Sequence, residues 1–231
     1  MKHVKRYLAM LLSLLMMLSM MTSAVGCAKT DETNSVGSGG GGGAETEKIE
    51  EEEESTKKVV YRLTDDVTNY VRINTKGYGE IIVELYPDKA PETVANFKSL
   101  VALGFYNKLT FHRIIDGAVI QGGDPNGNGT GGSGKSITGE FSANGFKSND
   151  LSHTRGVISM ARLADDYNSA SSQFFFCHQD MPQYDGQYAA FGKVIEGIET
   201  LDKLAKVSKM IDDQTPIDPP QILSIRFVYP D

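Results

Sequence analysis

The sequence predicts a mainly β domain, arranged as an antiparallel barrel, behind a non-globular N-terminal segment. Three observations support this fold class: many short apolar stretches of strand length, glycine-containing turns between them, and only two stretches with helical periodicity. A closed barrel suits many short strands because closure leaves no sheet edge unpaired. The folded part begins between Val59 and Tyr70 and, at roughly 165 residues, suits a single domain, which we assign to residues 59–231.

The first elements of this domain are a hairpin and a helix. Residues 71–74 alternate, residues 77–79 form a glycine turn, and residues 81–85 continue as the second strand. Pro91 then opens a helical pattern that ends near Gly104. Its apolar face comprises Val94, Phe97, Leu100 and Val101.

A second hairpin follows, with short strands at residues 109–114 and 118–121 joined by Asp116 and Gly117. Asp-Gly between apolar runs is a strong turn signal. Further short strands are predicted at residues 156–160, 174–177 and 190–194, a second helix at 199–206, and a closing strand at 222–228 after a proline-containing loop.

The N-terminus is typical of a lipoprotein signal peptide. A basic start precedes an apolar run at residues 7–21, which at about 15 residues is too short to span a bilayer comfortably. Small residues follow and end at Cys27, resembling a lipobox in which the cysteine thiol receives diacylglycerol; leucine is usual where Ala24 stands. The alternative is ordinary signal cleavage at residues 1–26 with an incidental cysteine.

Residues 27–58 are predicted to be a flexible linker. A glycine run at 39–43 and a glutamate run at 50–54 cannot bury enough apolar surface to fold. About 30 flexible residues reach on the order of 30 Å. The glutamate run is interpreted as a solvated spacer, the alternative being a site for a basic partner.

Charge and cysteine content exclude several function classes. The formal charge of −7 becomes −7 − 3 = −10 after the three basic residues of the signal segment are removed. An acidic chain disfavours nucleic acid and anionic lipid as partners, so lipid on Cys27 would provide the anchor outside the cytoplasm. Cys177 has no disulfide partner and is interpreted as a small core residue, a redox role being the alternative. We expect a monomer without cofactor or metal.

Residues 129–136, GTGGSGKS, match the phosphate-loop pattern in letters only. That loop requires a buried strand before it and a helix after it. The flanking residues 124–128 and 137–145 show neither. We therefore predict a glycine-rich surface loop that binds no nucleotide.

The most informative stretch is residues 111–124, FHRIIDGAVIQGGD. It places Arg113 and Gln121 on two adjacent strands in an otherwise apolar surface. One guanidinium and one amide in such a setting suit a neutral, polarised group such as a peptide bond.

Five blocks in this order resemble the cyclophilin-type peptidyl-prolyl cis-trans isomerases, and the resemblance covers about residues 70–229. The blocks are residues 111–124, 129–141 (GTGGSGKSITGEF), 156–162 (GVISMAR), 169–175 (SASSQFF) and 185–194 (DGQYAAFGKV). The residues of the last two blocks, and the insertion of Ser133 and Gly134 in the second block, are similar to the bacterial branch of the family. The resemblance implies a closed eight-stranded antiparallel barrel capped by two helices, and isomerisation of X–Pro bonds in unfolded or exported polypeptides.

The resemblance also implies residue roles. Arg113 would donate to the prolyl nitrogen of the twisted amide, Gln121 would hold the carbonyl before the proline, and Phe175 would form the pocket floor. The groove would be lined by Ala161, Arg162 (through its backbone), Gln173 and Tyr188, the last standing where many eukaryotic members have histidine. His112, His153 and His178 are interpreted as structural.

Some positions depart from the family pattern. Ala118 and Val119 stand where a phenylalanine and a methionine normally wall the proline pocket, a loss of about 2–3 kcal/mol of apolar burial. Gln183, beside Tyr184, replaces a tryptophan that many members use to hold cyclosporin. We expect weakened proline binding and poor cyclosporin sensitivity.

Two rival functions follow from the same features. One is a non-catalytic, proline-binding chaperone or scaffold on the same fold, suggested by the altered pocket. The other is a solute-binding lipoprotein, which would share the lipid anchor. That class has a two-lobed architecture that needs a longer chain and alternating strands and helices, and this sequence shows neither. Retention of Arg113, Gln121, Gln173 and Phe175 favours the enzyme.

Overall fold

Nine strands and two α-helices follow one another in the part of the chain that the computed structural model describes, residues 59–207 and 210–231. They belong to the compact unit Val60–Asp231. The predicted signal segment, Cys27 and the linker lie outside the described residues. Among the described residues, no helix has the length and apolar character needed to cross a membrane.

The elements are short, as the sequence predicts. The strands are β1 (Tyr61–Leu63), β2 (Tyr70–Thr75), β3 (Gly79–Leu85), β4 (Arg113–Ile115), β5 (Val119–Gly122), β6 (Val157–Met160), β7 (Phe174–Cys177), β8 (Ala190–Glu196) and β9 (Ile222–Pro230). The helices are α1 (Pro91–Ala102) and α2 (Ile198–Ala205), with 3₁₀ turns at Ser142–Asn144 and Pro182–Tyr184. Both predicted hairpins, both helices and the closing strand are confirmed.

The sheet is antiparallel and open, with the order β1-β9-β2-β3-β8-β6-β7-β5-β4. The expectation of a closed eight-stranded barrel was therefore wrong in strand number and in closure. β1 adds a ninth strand along the outer edge of β9. At the other end, β4 has only three residues, and its outer edge is occupied by the Gln214 carbonyl, which accepts from Ile114 N at 2.8 Å. The chain before β4 reaches the start of β9 by an isolated bridge, Thr110 to Gln221.

The main core combines the inner face of the sheet with buried residues of helices α1 and α2. The Phe97 ring of α1 packs against Phe174 of β7, at 5.7 Å between centroids, and against Phe191 of β8, at 5.1 Å. The start of α1 is fixed by a distant carboxylate, because buried Glu140 accepts from the backbone N–H groups of Glu92 (2.9 Å) and Thr93 (2.7 Å). An anion at this end satisfies amides that have no helical partner.

Strands β4, β5, β7 and β6 each present two faces. Residues directly opposite each other across neighbouring strands share a face, and successive residues alternate between faces. The core face carries Ile114, Ile120, Phe176 and Ile158 in register, all fully or almost fully buried. The site face carries Arg113, Gln121, Phe175 and Ser159 in register.

Candidate active site

Three of the predicted functional residues form one row across the sheet. Arg113 of β4 lies opposite Gln121 of β5, and Gln121 lies opposite Phe175 of β7. The turn that sets this register contains Gly117 at φ 73°, and Ala118 N donates to Ile115 O at 3.0 Å. A glycine suits this left-handed backbone conformation. The Arg113–Gln121 pair therefore follows from local turn chemistry and strand alternation, whereas Phe175 joins the row through the pairing of β5 with β7.

A chain of side-chain hydrogen bonds orients this row. Arg113 Nη1 donates to Gln121 Oε1 at 3.1 Å, and Gln121 Nε2 donates to Gln173 Oε1 at 2.9 Å. Gln173 Nε2 then donates to the carbonyls of Gly131 (2.8 Å) and Gly129 (3.1 Å). The loop carbonyls fix the orientation of the Gln173 amide, and Gln173 Oε1 in turn fixes the Gln121 amide. The glycine-rich loop therefore sets the direction of the Gln121 side chain.

The guanidinium itself sits in a half-buried position. Burial lowers the pKa of Arg113, while the nearby Tyr184 and Tyr188 act in the opposite direction. Arginine nevertheless stays charged, because its ordinary pKa lies far above neutrality. A desolvated cation exerts a stronger field on a neighbouring group than a hydrated one.

Gln214 is a neighbour of Arg113 that the sequence did not reveal. Arg113 Nε donates to Gln214 Oε1 at 2.7 Å, across 101 positions of sequence. Gln214 lies in none of the five family blocks, and no local pattern marks it. Only the folded chain brings its loop to the edge of β4.

A separate apolar cluster surrounds Phe175 on the site face. Tyr184 and Tyr188 each place a ring 5.6 Å from the Phe175 centroid, at nearly perpendicular angles. The buried members are Ala118, Val119, Val157, Phe175, Cys177, Met181, Tyr184 and Ala190, with Ile115, Leu151, Ala161 and Tyr188 packed against them. The structure thus brings Ala118 and Val119 to the predicted pocket. Ile115 and Met181 were missed; Ile115 could have been found, since it alternates with Arg113 on β4.

A polar triad of His153, Asp185 and Ser159 lies behind Phe175. The His153 ring stacks on Phe175 with centroids 6.2 Å apart and an interplanar angle of 15°. Its Nδ1 lies 3.0 Å from Asp185 Oδ1 and its Nε2 lies 3.0 Å from Ser159 Oγ. Burial lowers the pKa of His153, although Asp185 acts in the opposite direction. The His153 side chain has no exposed surface, so this histidine supports Phe175 from the interior.

Arg162 and Gln183 lie at the rim in different surroundings. The Arg162 guanidinium lies 4.6 Å from the Tyr188 ring centroid and 4.7 Å from that of Tyr167. It also donates to the Gln187 carbonyl from Nε and Nη2. The Arg162 side chain therefore braces Tyr188, a contact that the backbone role expected from the sequence did not include. Gln183 is exposed, whereas its neighbour Tyr184 faces Phe175.

The remaining residues singled out from the sequence lie away from the row. His112 and His178 are buried, and burial raises the pKa of the Cys177 thiol to about 12, which keeps it protonated. Residues 129–136 form a loop without a following helix. Buried Asp124 arranges the segment that leads into this loop, because it accepts from the backbone amides of residues 126, 128 and 129. No cluster suited to a metal ion occurs within residues 59–207 and 210–231.

Comparison with known families decides the assignment. Residues 70–227 match the family model described as "Cyclophilin type peptidyl-prolyl cis-trans isomerase/CLD". The chain belongs to the cyclophilin-type peptidyl-prolyl cis-trans isomerases. It is therefore an isomerase enzyme, as the retention of Arg113, Gln121, Gln173 and Phe175 predicts.

Bacterial relatives cover most of this cyclophilin domain. A peptidyl-prolyl cis-trans isomerase of Helicobacter pylori is 46% identical over 139 residues, which is 59% of this chain and 80% of the relative. Peptidyl-prolyl cis-trans isomerase B of Bacillus subtilis is 47% identical over 120 residues, 52% of this chain and 79% of the relative. The chain spans a smaller part, 23%, of the isomerase-like 2 protein of Cryptococcus neoformans, at 42% identity.

A solved structure agrees with the fold. The cyclophilin of Cryptosporidium parvum, determined in the presence of the dipeptide Ala-Pro, superposes with a TM-score of 0.62 at 37% identity. The match covers 68% of this chain and 98% of that one. The fold is thus a mainly β cyclophilin fold with two helices.

Proposed function

We propose that this cyclophilin accelerates X–Pro rotation by using Arg113 to stabilise the twisted prolyl amide. The observation that carries the proposal is the single row of Arg113, Gln121 and Phe175 on the site face. Within this row a cation, an amide and an aromatic floor lie on adjacent strands. These are the groups needed to meet the nitrogen, the carbonyl and the ring of a prolyl peptide.

The chemistry follows from amide resonance. Planarity imposes a barrier of about 18–20 kcal/mol, so uncatalysed X–Pro isomerisation is slow. At the twisted midpoint resonance is lost, and the prolyl nitrogen regains a lone pair that accepts a hydrogen bond. A fixed guanidinium binds that state better than either planar state, which lowers the barrier without proton transfer. A reduction of about 7 kcal/mol would give roughly 10⁵-fold acceleration.

The other residues receive roles from their geometry. Gln121 Nε2 already donates one N–H to Gln173, and an amide nitrogen carries a second N–H, which we assign to the carbonyl before the proline. Phe175 forms the floor for the proline ring. Ala161, Arg162, Gln173 and Tyr188 line the groove for flanking residues.

The pocket wall sets the expected affinity. Ala118 and Val119 are buried beside Phe175 but are smaller than the residues typical of the family. Fewer apolar contacts with the proline ring give a raised KM. Gln183 is exposed and stands where many members have tryptophan. Because glutamine offers less apolar contact to cyclosporin, we expect poor cyclosporin sensitivity.

The decisive experiment is a proline-isomerisation assay on a tetrapeptide, comparing wild type with Arg113→Ala. We expect kcat/KM to fall about 10²–10³-fold, the usual cost of removing one donor that stabilises a transition state. Arg226→Ala is the matched control. Arg226 is an exposed arginine of β9 that pairs with Asp65 and lies outside the Arg113 row. Equal rates for wild type and Arg113→Ala would overturn the mechanism.

The proposal extends to location and partners. The signal-like N-terminus, Cys27 and the linker support an enzyme held outside the cytoplasm by lipid, where it would help exported proteins through slow prolyl steps. Membrane fractionation of wild type and Cys27→Ser tests the anchor. We expect the variant to leave the membrane fraction, and an unchanged distribution would refute the anchor.

A further inference from the structure

Gln214 and Gln121 accept hydrogen bonds from different nitrogens of the Arg113 guanidinium. Nε donates to Gln214 Oε1 at 2.7 Å, and Nη1 donates to Gln121 Oε1 at 3.1 Å. Because the guanidinium is planar and rigid, two acceptors at separate nitrogens fix the plane of the group as well as its position. Gln121 belongs to the row described above, whereas Gln214 enters from a loop outside the sheet.

The loop that carries Gln214 is anchored on both sides. The Gln214 carbonyl accepts from Ile114 N of β4 at 2.8 Å, which attaches the loop to the strand that carries Arg113. The Gln214 N–H donates to Asp212 Oδ1 at 2.9 Å, and the same oxygen accepts from Thr215 N at 2.7 Å. Ile211 N donates to Thr215 O at 2.7 Å and closes the turn. Gln214 is therefore presented to Arg113 by a turn with its own internal support.

We propose that Gln214 is a positioning residue for Arg113 in the isomerase reaction, an inference that rests on the proposed role of Arg113. Its amide oxygen fixes the guanidinium plane before substrate binds, so less orientational freedom is lost on reaching the transition state. The Gln214 amide carries no charge, and this neutrality is part of its positioning role. A carboxylate at the same place would pair with the guanidinium and weaken the field that stabilises the prolyl nitrogen.

The test uses Gln214→Ala and Gln214→Glu, with kcat and KM measured on a proline tetrapeptide and the melting temperature measured in parallel. Loss of one hydrogen bond to a charged group lowers kcat about tenfold, while KM changes less than about twofold. Gln214→Glu retains the reach of the side chain but also lowers kcat, because it adds the opposing charge. Asp213→Ala, an exposed position on the same turn, is the matched control and keeps wild-type kcat.

A double-mutant cycle separates positioning from a purely structural role. Because Gln214 acts through Arg113, Arg113→Ala with Gln214→Ala should be no slower than Arg113→Ala alone. A further tenfold loss in the double variant would overturn the inference. So would a lowered melting temperature of Gln214→Ala with unchanged kcat. An inactive Arg113→Ala beside a fully active Gln214→Ala overturns this inference alone, whereas a fully active Arg113→Ala overturns the proposed mechanism and the inference with it.

Discussion

The core face and the site face are built from alternate residues of the same short strands, yet their chemistry differs. Ile114, Ile120 and Phe176 on the core face belong to the main apolar cluster and are almost completely buried. On the site face, Arg113 and Gln121 lie beside Phe175 and are joined by hydrogen bonds that continue into two loops. Alternation therefore lets one set of strands carry the apolar core on one side and the proposed catalytic row on the other.

The difference shows how each face tolerates change. An apolar residue of the core face has many interchangeable contacts, so volume and burial determine its contribution. A polar residue of the site face depends on a partner in fixed geometry, because an unsatisfied buried group is costly. Truncations on the core face should therefore lower stability, and conservative changes on the site face should lower activity.

The largest expected effect separates two adjacent phenylalanines. Phe176→Ala should reduce the free energy of unfolding by about 3–5 kcal/mol, because a fully buried ring leaves a cavity. Phe175→Leu should reduce it by less than about 1.5 kcal/mol while raising KM, since most of the apolar volume is kept but the flat aromatic surface is lost. Urea unfolding and the tetrapeptide assay measure both quantities. Similar stability losses in the two variants would show that the faces are not energetically distinct.

A smaller effect is expected from refilling the pocket wall. Val119→Met extends an apolar side chain of the Phe175 cluster, and each added methylene that contacts proline contributes about 0.8 kcal/mol. KM should therefore fall about threefold with kcat nearly constant. Ile120→Met, one position along on the core face, is the matched control and should leave KM unchanged. A KM for Val119→Met equal to that of wild type would show that Val119 does not meet the proline ring.

The smallest effect concerns pH. Burial lowers the pKa of His153 below its ordinary value of 6.5, so the unfolded chain binds protons more readily than the folded one. The stability contributed by neutral His153 is present above pH 6.5 and declines as the pH falls from there through the lowered pKa. Urea unfolding at several pH values should give a shallower decline for His153→Gln than for wild type. Identical slopes would mean that His153 has the same proton affinity in both states.

Much of the fold is predictable from local pattern. The Asp116-Gly117 turn and the alternation after it place Arg113 and Gln121 on one face, and Pro91 with its apolar stripe marks helix α1. Strand β1 was missed, because three residues beside a polar segment give no periodic signal. The prediction of a closed barrel was wrong, because closure depends on which segments occupy the edge strands. Here β1 pairs with β9, and the Gln214 carbonyl accepts from Ile114 N of β4.

The candidate site divides in the same way. The Asp116-Gly117 turn and strand alternation predicted that Arg113 and Gln121 share a face, and the family blocks indicated Phe175, Ala118 and Val119. These are all local signals. The pairing of β5 with β7, which brings Phe175 beside Gln121, and the surroundings of all three residues depend on the folded chain. Gln214 at the guanidinium, His153 and Asp185 beneath the floor, and Arg162 against Tyr188 are contacts between segments distant in sequence. Such contacts depend on how loops pack against a finished sheet, which no local pattern encodes.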